Sequence, residues 1–386
     1  MHLKCFIQKS KRMNTTKMFF QLLQVAIGSQ KSISFIPTRD DWYRLYELAL
    51  KQALLGITFY GIQKLRKENP ILVESLSQKL RMQWLAMAVN IQQRNNLLNK
   101  RCTDLYSTFK EAGFRTCILK GQGVATLYNK PFNKNEENKL SSFRQSGDID
   151  IWVEGDRDVA LDFVRSQGVK VSCIDSVHAH AKFFEDVEVE VHSRPSWMYN
   201  SKHDKIFTSF WQQQQEHQFS NFDKTLGFCY PNVAFNLVYS LLHINRHIFE
   251  EGIGLRQLID YHFILKASNK EERNEATNVL KQMNLKRFGA GIMYIEQKVF
   301  GLADDYFLFP PNAQEGEFLL NDILLGGNFG KFDKRYISIP LDKRWIRGIY
   351  SFIHNYKNLT HYPSEVLSIP IWKLRHFIWR KNKGYI

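Results

Sequence analysis

Two aspartates with one residue between them, Asp148 and Asp150, stand in the segment RQSGDIDIWV. If this segment is a β-strand, both carboxylates share one face, and Ile149, Ile151 and Val153 share the other. Two negative charges this close raise each other's pKa unless water or a cation compensates them. The spacing therefore indicates a divalent-metal site on one face of a strand. The alternative is the solvent-exposed face of an edge strand.

A second alternating segment, VEVEVH, ends at His192. It predicts a strand with three valines on the core face and Glu188, Glu190 and His192 on the opposite face. If this strand lies beside the first, a third carboxylate joins the two aspartates. Carboxylate oxygens are the ligands that Mg²⁺ prefers when phosphate oxygens and water complete its shell. Both glutamates share the face; we favour Glu190, in VEVH, and we favour His192 as the active-site histidine.

These motifs occur in an order that resembles the nucleotidyltransferase superfamily typified by DNA polymerase β. The segments LKGQGVATLY, RQSGDIDIWV, VEVEVHSRP and HINRH with GIGLRQLID are similar to those of a bacterial branch of that superfamily. The resemblance implies a core that binds a nucleoside triphosphate with Mg²⁺ or Mn²⁺. It implies that Asp148, Asp150 and Glu190 are both the metal ligands and the catalytic residues.

Several further residues are candidates for nucleotide binding. Lys120 ends a predicted strand beside a helix N-terminus, where phosphates often bind, although a lysine there is also common as a solvated cap. Gly121-Gln122 stands where the superfamily usually has Gly-Ser, so Gln122 is a candidate phosphate donor. Arg144 is either a bidentate phosphate ligand or a solvated loop arginine. The whole candidate set is Lys120, Gly121, Gln122, Arg144, Gly147, His192 and Arg256.

Two pairs of residues spaced four apart were considered as part of the same site. Arg256 either pairs with Asp260 on one helix face or contacts the triphosphate. His243 and His247 have a spacing that zinc ligands use, but no HExxH glutamate lies between them. We therefore expect a structural or substrate-side role for these histidines.

The net charge of +15 predicts an anionic ligand, such as a nucleotide, RNA or a membrane surface. Basic and aromatic residues alternate in the C-terminal segment IPIWKLRHFIWRKNKGYI. This segment either lies on an anionic membrane or packs its aromatic side chains on the protein, and we favour packing. The five scattered cysteines form no CxxC pair, which argues against a disulfide framework or a zinc site and favours the cytoplasm.

The elements that must position these residues form an α+β fold, with a small mixed-sheet core flanked by N-terminal and C-terminal helical regions. Apolar residues recur every three or four positions on both sides of the strand motifs, which is typical of amphipathic helices. The predicted divisions are a disordered extension (1–12), a helical N-terminal region (13–113), the nucleotidyltransferase α/β core (114–197), a helical C-terminal domain (198–340) and a basic aromatic helical segment (341–386).

We expect a metal-dependent enzyme that moves a nucleoside monophosphate from a nucleoside triphosphate to an acceptor hydroxyl or amine. The acceptor could be a polysaccharide precursor, another small molecule, a protein or an RNA. An alternative from a different class is a catalytically inactive nucleotide-binding or scaffold protein with the same fold. An RNA-modifying enzyme would be distinguished by strongly salt-dependent RNA binding.

Overall fold

The computed structural model describes residues 2–129, 140–333 and 355–385, with side chains from residue 14 onward. Its sheet has five strands: β1 Thr116–Leu119, β2 Ile149–Val153, β3 Val171–Ser172, β4 His178–Ala181 and β5 Val189–His192. Their order is β1-β2-β5-β4-β3. Strands β2 and β5 are parallel, and the other neighbouring strands of this sheet are antiparallel. The predicted α+β fold with a small mixed sheet is confirmed.

Four helices precede the sheet: α1 His2–Ile27, α2 Arg39–Lys51, α3 Leu55–Glu68 and α4 Gln78–Glu111. A capping box starts α2, because Thr38 and Asp41 each accept a hydrogen bond from the other's backbone N–H. The structure continues α1 back to His2, where we predicted a disordered extension. Neither proline nor glycine occurs in the chain before Gly28, so nothing interrupts the helix there.

The remaining helices surround the sheet and follow it. They are α5 Gly121–Ala125, α6 Arg157–Ser166, α7 Ser201–Ser220, α8 Val233–Glu250, α9 Leu255–Ala267, α10 Lys270–Gln282, α11 Lys286–Phe300, α12 Ala313–Gly326, α13 Pro363–Val366 and α14 Ile369–Asn382. A short hairpin, β6 Phe222–Asp223 with β7 Phe228–Cys229, lies between α7 and α8. The predicted boundary at residue 340 falls outside the described residues. None of the helices in the described ranges has the length and apolar character that crossing a membrane requires.

The two faces of β2 pack against different layers. Ile149, Ile151 and Val153 are buried in a cluster with apolar residues of α4 and α6. Trp152 points to the other face and packs against aromatic rings of α7 and α8. The alternation predicted for this strand is therefore confirmed, and Asp150 shares the Trp152 face.

The N-terminal and C-terminal helical regions share one apolar core, which includes residues of α1 to α4 and of α8 to α12. Gln52, fully buried, joins the two regions by polar contacts. Its Oε1 accepts from the backbone N–H of Leu255 at 2.9 Å, and its Nε2 donates to the backbone oxygen of Ile323 at 3.1 Å. The helices on both sides of the sheet thus form one packed body.

Candidate active site

A cleft of about 1170 Å³ lies between the Trp152 side of the sheet and helices α8 and α9. Most of the predicted site residues line it: Lys120, Gly121, Arg144, Gly147, Asp148, Asp150, Glu190 and Arg256. Glu188 also lines it, but this residue precedes β5 and is exposed. His192 lies beneath the cleft, and Gln122 faces elsewhere.

The carboxylates come together because of the register between β2 and β5. Asp150 lies directly opposite Glu190 across the parallel pair. Asp150 is only 2% exposed, whereas Asp148, just before β2, is exposed to the cleft. Two strands separated by 35 residues of sequence therefore place Asp148, Asp150 and Glu190 together at the base of the cleft, which we call the carboxylate floor.

Two cationic groups contact the same oxygen of Asp150. Lys120 Nζ lies 2.9 Å from Asp150 Oδ1, and His192 Nε2 lies 3.0 Å from it. His192 Nε2 also lies 3.2 Å from Glu190 Oε2, so the imidazole bridges the two carboxylates. Burial disfavours a charged His192, but its bonds to the two carboxylates outweigh burial and raise its pKa to about 9.

The three carboxylates differ in pKa. For Asp150, burial favours the neutral acid, but Lys120 and His192 outweigh it and lower the pKa. Glu190 behaves similarly, since burial is outweighed by its bond to His192 and by the nearby imidazoles, so its pKa is also lowered. Asp148 is open to the cleft but has protein around its other sides, so partial desolvation and then the charge of Asp150 raise its pKa. The site therefore holds two stabilised carboxylates and one that lacks a sufficient counter-charge.

The donor set fits a divalent cation. Ligand atoms of Asp150, Glu190 and His192 all lie within 4.8 Å of one another, as do those of His178, His180 and Glu190. The second carboxylate oxygen of Asp150 makes no hydrogen bond among the described residues, and Asp150 is one of the residues that line the cleft. Hard oxygen donors at this spacing, with Asp148 beside them, suit Mg²⁺ or Mn²⁺.

Lys120 has an unusual backbone conformation that turns the chain from β1 into α5. Its φ is 52° and its ψ is −154°, and Gly121 follows with φ of 47°. This turn directs the ammonium group of Lys120 to Asp150, although α5, at five residues, is too short to offer a helix N-terminus as an anion site. The lysine therefore acts in the cleft through its side chain.

Arg256 lines the cleft beside Asp148. Its Nη1 donates to the backbone oxygen of Gln145 at 3.1 Å, and its guanidinium lies over the ring of Phe329. A Cβ added at Gly147 would be in ordinary van der Waals contact with this Nη1 at 3.4 Å, so the guanidinium lies directly beside the loop that leads to Asp148. Arg256 does not form the ion pair with Asp260 that we considered.

Two candidate nucleotide ligands are placed differently from the prediction. Gln122 is buried and donates from Nε2 to Asn99 Oδ1 on α4, because the first turn of α5 directs it away from the cleft. Arg144 forms a bidentate pair with Asp260, with both N–O distances 2.7 Å. The guanidinium of Arg144 therefore joins the loop before β2 to α9, and this pairing uses the donors that a bidentate phosphate contact would need.

Helix α8 forms one wall of the cleft, where the sequence indicates His243 and His247 but not Arg246 and Glu250. Helix α8 places His243, Arg246, His247 and Glu250 in the lining, with Trp197 and Trp372 beside them. Nε2 atoms of the two histidines are 2.9 Å apart, and His247 Nδ1 lies 3.0 Å from Glu251, so they contact each other and an acid. The signal was available, since polar residues at intervals of three and four interrupt a helix that is otherwise apolar.

Comparison with known proteins agrees with this geometry. No curated protein matches the chain. A family described as uncharacterised nucleotidyltransferase matches residues 38–301, a range that contains the sheet, the three carboxylates and the cleft wall on α8 and α9. Because the match covers more than half of the sequence, this chain belongs to that nucleotidyltransferase family.

Proposed function

We propose that this protein transfers a nucleoside monophosphate from a nucleoside triphosphate to a hydroxyl or amine of an acceptor. The observation that carries the proposal is the register of β2 and β5, which sets Asp150 opposite Glu190 with Asp148 beside them. Asp148, Asp150 and Glu190 would hold Mg²⁺ or Mn²⁺. The bound cation would neutralise phosphate charge and polarise the reacting phosphorus.

The chain's own cations are arranged for the triphosphate on the Asp148 side of the cleft. Lys120 reaches the carboxylate floor from the end of β1, and Arg256 lies next to Gly147. Both side chains would orient phosphate oxygens, Lys120 as a point charge and Arg256 through N–H donors in one plane. Buried cations in a cleft act on phosphate charge more strongly than the same groups in water.

The proposed transfer forms one bond to the α-phosphorus and breaks another. The acceptor oxygen or nitrogen forms a bond to the α-phosphorus, while the bond from that phosphorus to the oxygen bridging the β-phosphorus breaks. Pyrophosphate leaves with the electron pair of that bond. Glu190, at the far side of the floor from Lys120, is the group that would take the acceptor's proton.

A non-catalytic nucleotide-binding protein is the second candidate. The observation that favours it is that Lys120 and His192 already compensate Asp150, so the floor is stable without a further cation. The Gly-Gln pair at 121–122 also favours a non-catalytic protein, because Gln122 is turned towards α4 and away from the cleft. Such a protein would bind the nucleotide without turnover.

One experiment separates the two candidates. Thermal melting is measured with each of the four nucleoside triphosphates, with and without Mg²⁺ or Mn²⁺, followed by an assay of pyrophosphate release in cell extract. An enzyme is expected to show metal-dependent stabilisation and release that is lost in Asp150→Asn. Binding with no pyrophosphate release from any nucleotide would favour the scaffold. Mass spectrometry of the extract after incubation with isotopically labelled nucleotide would identify the acceptor.

A further inference from the structure

The cleft has two chemically distinct sides. On one side, Asp148 interacts electrostatically with Lys120 and Arg256. On the other, Arg246 of α8 interacts with Glu190 and with His178. The two arginines thus lie near opposite ends of the carboxylate floor, and only one of them is beside the residues that we assign to the triphosphate.

Arg246 is held in a position that leaves two of its three donor nitrogens unused. Its side chain is 9% exposed, and its Nε and Nη1 atoms are buried with no hydrogen-bond partner among the described residues. The nearest carboxylate in an ion pair, Glu250, lies 3.6 Å from Nε, beyond a good hydrogen bond. A buried guanidinium without hydrogen bonds is costly unless a ligand or water completes its shell.

The aromatic residues around Arg246 fix the plane of its guanidinium. Its Cζ lies 4.0 Å from the centre of the Trp197 ring, and Trp197 stacks on Trp372 at 5.6 Å with an angle of 10° between rings. Both aromatic residues line the cleft. Stacking uses the face of the guanidinium and leaves its N–H edge for an anionic oxygen in the same plane.

We propose that Arg246, oriented by Trp197, binds an anionic group of the acceptor. The acceptor is then a hydroxyl or amino compound that also carries a carboxylate or a phosphate. The anion would lie on Arg246, and the nucleophilic atom would reach Glu190, to which its proton passes as the bond to the α-phosphorus forms. This inference rests on the proposed nucleotide transfer, since it names the second substrate of the same site.

Isothermal titration calorimetry tests the assignment. Glycerol 3-phosphate, glycerate and uncharged glycerol serve as probes that differ in the anion, and ATP with Mg²⁺ or Mn²⁺ probes the nucleotide side. For the wild-type protein we expect at least one charged probe to bind tenfold or more tightly than glycerol. Arg246→Gln should remove that preference and leave ATP affinity within about twofold, whereas Arg256→Gln should weaken ATP and keep the preference.

Matched controls keep the test decisive. Arg165→Gln makes the same charge change on the exposed surface of α6 and should alter neither affinity. Arg246→Lys keeps the charge and is expected to retain part of the phosphate affinity if the glutamine variant does not fold. The inference is wrong if no charged probe binds better than glycerol, or if Arg246→Gln weakens ATP as much as Arg256→Gln does. Absence of ATP binding by the wild-type protein would instead refute the proposed function.

An independent observation concerns the outer face of α14. Trp372 and Trp379 face inward, where Trp379 packs against Arg157 and the following Lys383 pairs with Asp158. On the opposite face an apolar row is exposed: Leu367 64%, Ile371 55%, Leu374 61%, Phe377 51% and Ile378 48%. The predicted packing of the aromatic residues therefore holds for both tryptophans, whereas Phe377 is exposed.

The charges of α14 indicate what covers this row. The helix contains four basic residues and no acidic one. Arg375 and Lys373, both exposed, flank the apolar row on its two sides, and Lys381 follows at the C-terminal end of the row. We propose that α14 lies on an anionic lipid bilayer, with the apolar row among the acyl chains and the basic residues beside it at the headgroups.

Co-sedimentation with vesicles tests this second proposal. The full-length protein should pellet with vesicles containing phosphatidylglycerol and much less with pure phosphatidylcholine. A Leu374→Gln/Ile378→Gln double variant should lower the bound fraction at least tenfold, whereas Val159→Gln, which changes an exposed apolar residue of α6, should not. The proposal fails if the wild-type protein binds neither vesicle. It also fails if the protein is a dimer that the double variant converts to a monomer, because the row is then an interface between copies.

Discussion

At the scale of single residues, Asp148 and Asp150 differ more than their shared spacing suggests. Asp150 is buried against Lys120 and His192, whereas Asp148 is exposed in the cleft and carries a charge that its neighbours do not compensate. The pKa of Asp150 is lowered, so its carboxylate stabilises the fold above pH 3.8 and that contribution is lost as the pH falls. The pKa of Asp148 is raised, so its charge opposes folding over the neutral range.

Substitution by asparagine should separate these two effects. Both Asp148→Asn and Asp150→Asn are expected to abolish metal-dependent transfer. In chelator at pH 7, Asp150→Asn should lower the free energy of unfolding by about 3 kcal/mol, because Lys120 loses its carboxylate partner and His192 keeps only Glu190. Asp148→Asn should raise the melting temperature. Urea denaturation and activity assays measure both quantities, and full activity in either variant would exclude the metal site.

Glu190, within β5, and Glu188, just before it, provide a matched pair of substitutions. Glu190 lies opposite Asp150, and Glu188 is exposed before the strand begins. Glu190→Gln should therefore reduce kcat by roughly 10²-fold or more, and Glu188→Gln by no more than about threefold. Initial-rate measurements with saturating nucleotide provide the comparison. Equal, mild effects would mean that Glu190 does not contact the reacting groups.

At the scale of elements, alternation in DIDIWV and VEVEVH was enough to predict which residues share a face of each strand. Alternation does not determine which strand lies next, so the β1-β2-β5-β4-β3 order was not predictable from it. Contacts between residues distant in sequence could also not be predicted, for example that of Arg144 with Asp260, which are 116 residues apart. The orientation of Gln122 depends on how one short helix turns, which no local pattern records.

Helices α9 and α11 meet through a buried polar pair that was also missed. His262 Nδ1 lies 3.2 Å from Glu296 Oε2, and both side chains are almost fully buried. Burial lowers the pKa of His262 to about 3 and raises the pKa of Glu296 well above 4.5. Both shifts favour the neutral pair, in which the protonated carboxyl of Glu296 donates to the imidazole.

Glu296→Gln should preserve this contact, since an amide N–H can replace the carboxyl O–H. A raised folded-state pKa means that wild-type stability falls as the pH rises above 4.5 towards that pKa. The variant should match the wild-type protein at pH 4 and exceed it increasingly up to pH 8. Urea denaturation of both proteins across this range measures the difference. A constant difference at all pH values would show that folding does not raise the pKa of Glu296.

At the scale of the whole molecule, the helices before and after the sheet should unfold together. Gln52 satisfies the backbone of Leu255 and Ile323 from the N-terminal side. Gln52→Leu would leave both buried backbone groups unpaired, and we expect it to cost about 2–4 kcal/mol. Circular dichroism and tryptophan fluorescence should report one coincident transition in both proteins. Separate transitions would show that the N-terminal helices fold as an independent unit.

The backbone of Lys120 has a consequence for how the protein tolerates change. Its φ of 52° with ψ of −154° lies in a region that glycine occupies readily and residues with a Cβ avoid, at a cost of about 1–3 kcal/mol. Replacement by glycine should therefore give a more heat-resistant protein than replacement by alanine, although both lose the ammonium group. Relative to lysine itself, glycine would relieve the backbone strain and lose the ion pair with Asp150, so the two changes act on stability in opposite directions. Position 120 is thus a point where a favourable side chain keeps an unfavourable backbone in place.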